Sequence, residues 1–360
     1  MIRILIVDDS PTARLVLTRE LERQPDFTVV GAAADAFEAR QLILAGQPHV
    51  LTLDLQMPRM SGLDFLDKLM AHHPLPVVIV SSITPAGSET ALAALRLGAV
   101  EVVGKAGLGS NPAASAPLVA AIRAAGQARV RQTHAAAAAP TRNSVPVQRA
   151  QENDSRRLKK AAPDVIAIGA STGGTRAIED LLRRMPTDVP GVVVAQHLPA
   201  GFTRSFAARL NAVCAIAVRE AKHGDIVTPG TALIAPGGCD TVLVPAGGQL
   251  RVNIAPRRAG RIPALEPTPS VDSLFRSVAG VCGPAAIGIL LTGMGSDGAQ
   301  GLNAMRHAGA LTIAESEETC VVFGMPRAAI ALGAVAVSAP LYNIPDLLFD
   351  VLFQTAAARI

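Results

Sequence analysis

The sequence predicts an α/β chain of two doubly wound, mostly parallel sheets, the second carrying an antiparallel hairpin insertion. Short apolar runs alternate with amphipathic stretches through both halves, the pattern of repeated βαβ units. Between the halves lies a segment rich in alanine, then polar and basic, with no sustained apolar period. A chain of 360 residues exceeds one ordinary core, so we expect two domains, at 1–130 and 164–357, joined by a linker at 131–163.

In the first half the strand-like runs are Ile2–Val7, Thr28–Ala33, Val50–Leu53, Val77–Val80 and Val100–Val103. Helical stretches fall between them at Pro11–Arg23, Ala36–Ala45 and Gly62–Ala71, with a last helix over about Ala114–Arg131. Asp9 or Ser10 is placed to cap the first helix, because Pro11 suits its first position. In the second half Val165–Ile168, Val192–Ala195 and Ile287–Leu291 read as buried strands. Further β-like runs at Ala232–Ala235, Thr241–Val244 and Leu250–Ile254 are separated by Gly237-Gly238 and Gly247-Gly248, which predicts antiparallel hairpins.

Composition narrows the function classes. Hydrophobic residues make up 49% and charged ones 17%, as in a globular chain. Residues 131–160 hold seven Lys or Arg against two Asp or Glu, a net of +5 within a chain total of +4, so the remainder carries about −1. The positive charge sits in the linker and not on a folded face, which argues against a nucleic-acid partner. Cys214, Cys239, Cys282 and Cys320 are widely spaced, with no paired metal-site or disulfide pattern, as expected of reduced cysteines in the cytoplasm. No apolar run approaches membrane-spanning length, and Ile2–Val7 is too short for a signal-peptide core. We therefore expect a cytoplasmic protein without membrane insertion.

Polar residues gather just past the strand-like runs, where loops of a doubly wound sheet share one ligand-binding edge. In the first half these are Asp8 and Asp9, then Asp54, Ser81 and Lys105. Three carboxylates that repel one another favour a hard divalent cation such as Mg²⁺. With it in place a carboxylate can accept a phosphoryl group, Ser81 can hydrogen-bond its oxygens, and Lys105 can balance their charge. Judged singly, each aspartate could instead cap a helix.

In the second half Gly169-Ala170-Ser171-Thr172-Gly173-Gly174 joins a strand to a helix, exposing the serine beside free N–H groups at the helix start. The loop alone is a weak signal, and it is neither G-x-G-x-x-G nor followed by a P-loop lysine. His197 ends the next apolar run, whereas His223 reads as a turn residue and His307 as lying near a helix end. Asp297 lies in Thr292-Gly293-Met294-Gly295-Ser296-Asp297-Gly298; Asp272 is the alternative acid, although Ser270-Val271-Asp272 reads as a helix start. Together Ser171, His197 and Asp297 supply nucleophile, base and acid. Their order in the chain is not that of the α/β-hydrolases, which run Ser, acid, His. A backbone N–H near Thr172 or Met294 is the candidate oxyanion donor; the two stay open.

The first half resembles a response-regulator receiver through Leu5-Ile6-Val7-Asp8-Asp9-Ser10, Leu53–Gly62, Val80-Ser81-Ser82 and Gly104-Lys105. That resemblance implies a flavodoxin-like domain with Asp54 as phospho-acceptor. It also implies Asp8, Asp9 and the Gln56 carbonyl as Mg²⁺ ligands beside Asp54, and a sensor histidine kinase as phosphodonor. Receivers follow the lysine with a cis proline; here Ala106 stands after Lys105. The second half is similar to the chemotaxis protein-glutamate methylesterase family (CheB). The motifs are Gly169–Gly174, Gln196-His197-Leu198-Pro199, Phe202–Leu210, Pro269–Asp272 and Thr292–Ala299. The resemblance implies a Rossmann-like catalytic domain with Ser171, His197 and Asp297 as its triad, using no cofactor for ester hydrolysis. It implies hydrolysis of glutamyl methyl esters, and deamidation of glutamines, on cytoplasmic helices of methyl-accepting chemoreceptors. It further implies that the unphosphorylated receiver covers the active site. Gly238–Leu250 and Arg257-Arg258 match less clearly, so no substrate contacts are assigned there. The rivals are a phosphorylation-dependent binding protein with a silent hydrolase site and a DNA-binding response regulator. The complete set of triad residues argues against the first, and the placement of charge against the second.

Overall fold

The computed structural model describes residues 1–81, 85–110, 112–130, 163–256 and 268–357. The chain divides into two compact units, whose described residues lie within 1–130 and 163–357. The expected linker lies outside the described residues apart from Pro163, as do Arg131 of the expected last helix, Ser82 and the Arg257-Arg258 pair.

In the first unit β1 (Ile2–Val7), β2 (Phe27–Ala33), β3 (Val50–Leu53), β4 (Val77–Ser81) and β5 (Glu101–Gly104) form a parallel sheet in the order β2-β1-β3-β4-β5. The helices are α1 (Pro11–Glu22), α2 (Ala36–Gly46), α3 (Gly62–His72), α4 (Pro85–Leu97) and α5 (Pro112–Ala125). Every residue of β3 and β4 is buried, so both faces of the sheet are covered, which is why these strands read as unbroken apolar runs. Ser10, not Asp9, caps α1: its Oγ accepts the Ala13 N–H at 3.2 Å. Asp35 and Ser61 do the same for α2 and α3. Strand order reverses between β1 and β3, so the loops after these strands flank the crevice where such sheets bind ligands.

In the second unit the parallel strands are β6 (Val165–Ala170), β7 (Gly191–Gln196), β8 (Ala217–Glu220) and β9 (Thr231–Ile234). They are joined by β12 (Ala286–Leu290), β13 (Leu311–Glu315) and β14 (Val337–Ala339), in the order β14-β13-β12-β6-β7-β9-β8. Its helices are α6 (Gly174–Leu182), α7 (Phe202–Val213), α8 (Val271–Cys282), α9 (Ala299–His307), α10 (Met325–Ala331) and α11 (Ile344–Ala357). A separate antiparallel pair, β10 (Cys239–Ala246) and β11 (Gln249–Pro256), turns at Gly247-Gly248. Its Leu243 and Val252 join a core with Leu274, Phe275 and Val278 of α8.

The hairpin insertion is therefore smaller than the sequence predicts. The run at Ala232–Ala235 is no hairpin arm; β9 lies in the main sheet, parallel to both β7 and β8. Ala232, Leu233 and Ile234 are fully buried in succession, the mark of a parallel strand covered on both faces. Gly237-Gly238 leads from the main sheet into the hairpin and does not turn it. Among the described residues no helix is long and apolar enough to cross a membrane.

Candidate active site and acidic pocket

Ser171 follows β6 and His197 follows β7. Register pairs Ala170 with Gln196, so the two side chains leave neighbouring strands at the same level. The His197 N–H donates to the Ala170 carbonyl at 3.1 Å, tying the two strand ends together. Asp297 comes from the loop after β12, the neighbour of β6 on its other side. The chain builds outward from β6 through β7, then returns to β12 and builds the other way. The site thus lies at the point where strand order reverses.

The His197 Nε2 and Asp297 Oδ2 atoms are 2.9 Å apart. With Nε2 committed to the carboxylate, Nδ1 is the nitrogen left to exchange a proton with the serine. No hydrogen bond joins the Ser171 hydroxyl to the ring among the described residues. The serine stands at the adjacent strand end, and such contacts often tighten only when substrate is bound.

Asp297 is seated on the N-terminus of α8. It accepts N–H groups from Val271 at 2.8 Å and Asp272 at 3.0 Å, the first two residues of that helix. The Gly298 N–H at 3.0 Å and the Ser270 hydroxyl at 3.3 Å complete its shell. Burial alone would raise its pKa, but the His197 hydrogen bond and these N–H groups hold the carboxyl below its ordinary value. It is an ionised partner for an imidazolium. Asp272, the alternative acid, is committed elsewhere: Oδ1 accepts the Gly301 N–H at 2.6 Å and Oδ2 faces Arg276 at 3.4 Å. Neither other histidine of this unit has a bonded role here. His223 accepts from the Ile254 N–H at 3.4 Å, and the His307 ring meets the Asn303 carbonyl at 2.8 Å at the end of α9.

The Ser171 loop is held from behind. Gly173 adopts φ +80°, a left-handed turn that starts α6, and a Cβ there would lie 2.6 Å from Val321 Cβ. The Ser171 N–H donates to the Thr292 carbonyl at 3.0 Å, and the Thr292 hydroxyl donates to the Thr172 carbonyl at 3.0 Å. A Cβ on Gly293 would sit 2.7 Å from Ser171 Cβ, so the chain leading to Met294 passes against the serine. Gln196, only 2% exposed, donates from Nε2 to the carbonyls of both Ser171 (2.8 Å) and His197 (3.2 Å). Sequence reasoning assigns no role to Gln196 or Thr292. The signal for them is the same one that marks Ser171, a polar residue at the end of an apolar strand.

In the first unit Asp8, Asp9 and Asp54 bring carboxylate oxygens within 4.8 Å of one another. This all-oxygen donor set fits a hard divalent cation. Gln56, two residues past Asp54, donates its N–H to Asp54 Oδ1 at 3.3 Å. Lys105 Nζ lies 2.6 Å from Asp54 Oδ2 and 2.7 Å from Asp8 Oδ2. Burial would depress this ammonium, yet the Asp54 and Asp8 bonds hold it above its ordinary value. Burial pushes the Asp8 carboxyl up, offset in part by Lys105. Among the described residues the only cis peptide precedes Pro269, so the Lys105–Ala106 bond is trans, and the ammonium still reaches both carboxylates. Ser81 is buried at the end of β4, its carbonyl accepting the Lys105 N–H at 2.9 Å.

Comparison with known proteins matches residues 166–348 to the CheB methylesterase family and residues 4–109 to the response regulator receiver domain. The chain is 47% identical over 348 residues to a protein-glutamate methylesterase/protein-glutamine glutaminase of Syntrophus aciditrophicus, covering 96% of this chain and 97% of that one. It is 48% identical over 346 residues to the protein of the same name from Paraburkholderia xenovorans, covering 92% and 91%. Among solved structures, the CheB methylesterase catalytic domain of Thermotoga maritima aligns with a TM-score of 0.50 at 35% identity, covering 53% of this chain and 100% of that one.

Proposed function

The chain belongs to the CheB methylesterase family, and from that premise we propose that Ser171, His197 and Asp297 are its catalytic triad. It is a phosphorylation-regulated protein-glutamate methylesterase and protein-glutamine glutaminase, with a receiver domain ahead of the hydrolase. We assign the receiver to residues 1–130, the linker to 131–163 and the catalytic domain to 164–357. One observation carries the triad: the 2.9 Å contact of His197 Nε2 with Asp297 Oδ2, at the strand end adjacent to Ser171.

In this reading His197 Nδ1 takes the hydroxyl proton as Ser171 Oγ attacks the ester or amide carbonyl. A backbone N–H at Thr172 or at Met294 holds the oxyanion. His197 then gives the proton to the leaving group, and methanol or ammonia departs. Water, deprotonated by the same imidazole, attacks the acyl-serine and releases glutamate. Asp297 fixes the ring and stabilises its cation throughout.

The receiver reading assigns Asp54 as phospho-acceptor and a sensor histidine kinase as donor. Asp8, Asp9, Asp54 and the Gln56 carbonyl would hold Mg²⁺. Bound there, the cation neutralises charge on the transferring phosphoryl group. Ser81 and Lys105 contact its oxygens afterwards. The substrates are the cytoplasmic helices of methyl-accepting chemoreceptors, which puts the reaction in the cytoplasm.

Mass spectrometry of a methylated receptor fragment tests this assignment. Incubation with the full chain should lower the mass by one CH2 equivalent per methyl ester hydrolysed and convert susceptible glutamines to glutamate. An unchanged mass, with several receptors tried and the protein phosphorylated, would contradict it.

A further inference from the structure

The second unit contains a buried carboxyl for which the hydrolytic chemistry has no use. Glu315 ends β13 and is 0% exposed. Its Oε2 accepts the Thr292 N–H at 2.8 Å across to the loop after β12. Thr292 is where the catalytic loops meet. Its carbonyl accepts the Ser171 N–H at 3.0 Å, and its hydroxyl reaches the carbonyls of Thr172 (3.0 Å) and Val322 (3.2 Å). That hydroxyl also accepts the Val322 N–H at 3.0 Å. Two residues beyond Thr292 the chain reaches Met294, a proposed oxyanion donor.

We propose that Glu315 is a positioning residue for ester and amide hydrolysis, acting through Thr292 to hold the Ser171 loop and the approach to Met294 in register. The inference rests on Ser171 being the nucleophile.

The carboxyl's surroundings favour its neutral form. Oε1 is buried and makes no hydrogen bond among the described residues. Thr319 and Cys320 lie near enough to favour ionisation, but the Cys320 thiol bonds the Glu315 backbone carbonyl, at 3.8 Å, and neither side chain bonds Oε1. Asp180 of α6 adds a like charge from another side. Burial first, with Asp180 in support, pushes the carboxyl up to about 7. Neutral Glu315 keeps the Thr292 N–H satisfied. Ionised, it puts an unbalanced buried charge behind a loop that must stabilise a forming oxyanion.

Methanol release by the full chain, measured from mildly acid to alkaline pH, tests this with Glu315→Ala and Glu315→Gln. Misplacing a reacting group by about 1 Å can cost about 100-fold, so Glu315→Ala should lower kcat by roughly 10- to 100-fold and leave KM within about twofold. Glu315→Gln keeps the acceptor for Thr292 and cannot ionise. It should stay near wild-type activity in acid, and the ratio of its kcat to wild type should climb as pH passes about 7. Should the alanine variant fail to fold, the glutamine variant carries the test alone. Wild-type kcat in a folded Glu315→Ala, or a flat ratio across pH, overturns the proposal. Activity surviving in Ser171→Ala would instead remove the nucleophile assignment beneath it.

Discussion

Asp297 and Asp272 cap each other's helices. The Asp297 carboxylate receives the Val271 and Asp272 N–H groups at the start of α8, while Asp272 Oδ1 receives the Gly301 N–H in the first turn of α9 at 2.6 Å. The proposed catalytic acid is thereby built into the joint between two helices, and its orientation toward His197 is set by backbone and not by a flexible chain. The cost falls on Asp272, whose pKa is raised by burial and, after its Gly301 bond is counted, by the charge of Asp297.

Asp297→Asn should keep the shape and lose the function. The amide cannot stabilise an imidazolium and favours the wrong tautomer, so kcat should fall by about 100-fold or more. The folded pKa of Asp297 is depressed, so its contribution to stability is present above the ordinary aspartate value and is lost as pH falls below it. Thermal melts at neutral and at acid pH should therefore differ more for wild type than for the variant. Equal kcat in both proteins would contradict the assignment.

Glu315 titrates with the opposite sign. Its folded pKa, about 7, lies above the ordinary value of 4.5, so folding is favoured most below 4.5 and loses this advantage as pH rises to about 7. Over that window the second unit should lose about 3 kcal/mol from this group, and Glu315→Gln should flatten the loss. Denaturant unfolding across the window reads it; identical slopes in the two proteins would show that the carboxyl is not held neutral.

Gln196→Leu removes both Nε2 bonds, leaving the Ser171 carbonyl to the Gly174 N–H alone and taking the Gln196 donor from the His197 carbonyl. We expect a stability loss of about 1–2 kcal/mol and a kcat reduced by roughly 10-fold. Denaturant unfolding and methanol release check the two effects. Unchanged stability would mean that the strand ends are held by the sheet alone.

Lys105→Met tests the acidic pocket. The ammonium is bonded to both Asp8 and Asp54, so it competes electrostatically with a divalent cation. Removing it should tighten Mg²⁺ binding by about 10-fold, near 1.4 kcal/mol, in calorimetric titration. Weaker binding would mean that Lys105 organises the site and does not compete for it.

Much of this was written in apolar runs and the residues that end them. Ile2–Val7, Val50–Leu53 and Val165–Ile168 are strands because parallel strands covered on both faces must be apolar throughout. The same rule makes Asp8, Asp54, Ser171 and His197 conspicuous, as polar residues where such runs stop. At Ala232–Ala235 the nearby glycines suggest a hairpin, but full burial puts the strand in the main sheet. The joint between α8 and α9 could not be read at all. The sequence favours Asp297 over Asp272 as the acid, but that each meets the N–H groups of a helix beside the other shows only in the packing. Glu315 is not legible in the sequence, because Leu311–Glu315 offers one strand-end acid with no neighbouring motif and its partner is a backbone N–H.

Ser171 is proposed as the nucleophile of a hydrolase under phosphorylation control. Methanol release from methylated chemoreceptor membranes tests it most directly, with wild type and Ser171→Ala side by side, each with and without Mg²⁺ and a small phosphodonor. Wild type should release methanol, more so on phosphorylation, and Ser171→Ala none above background under either condition. Equal release by the two proteins would contradict it.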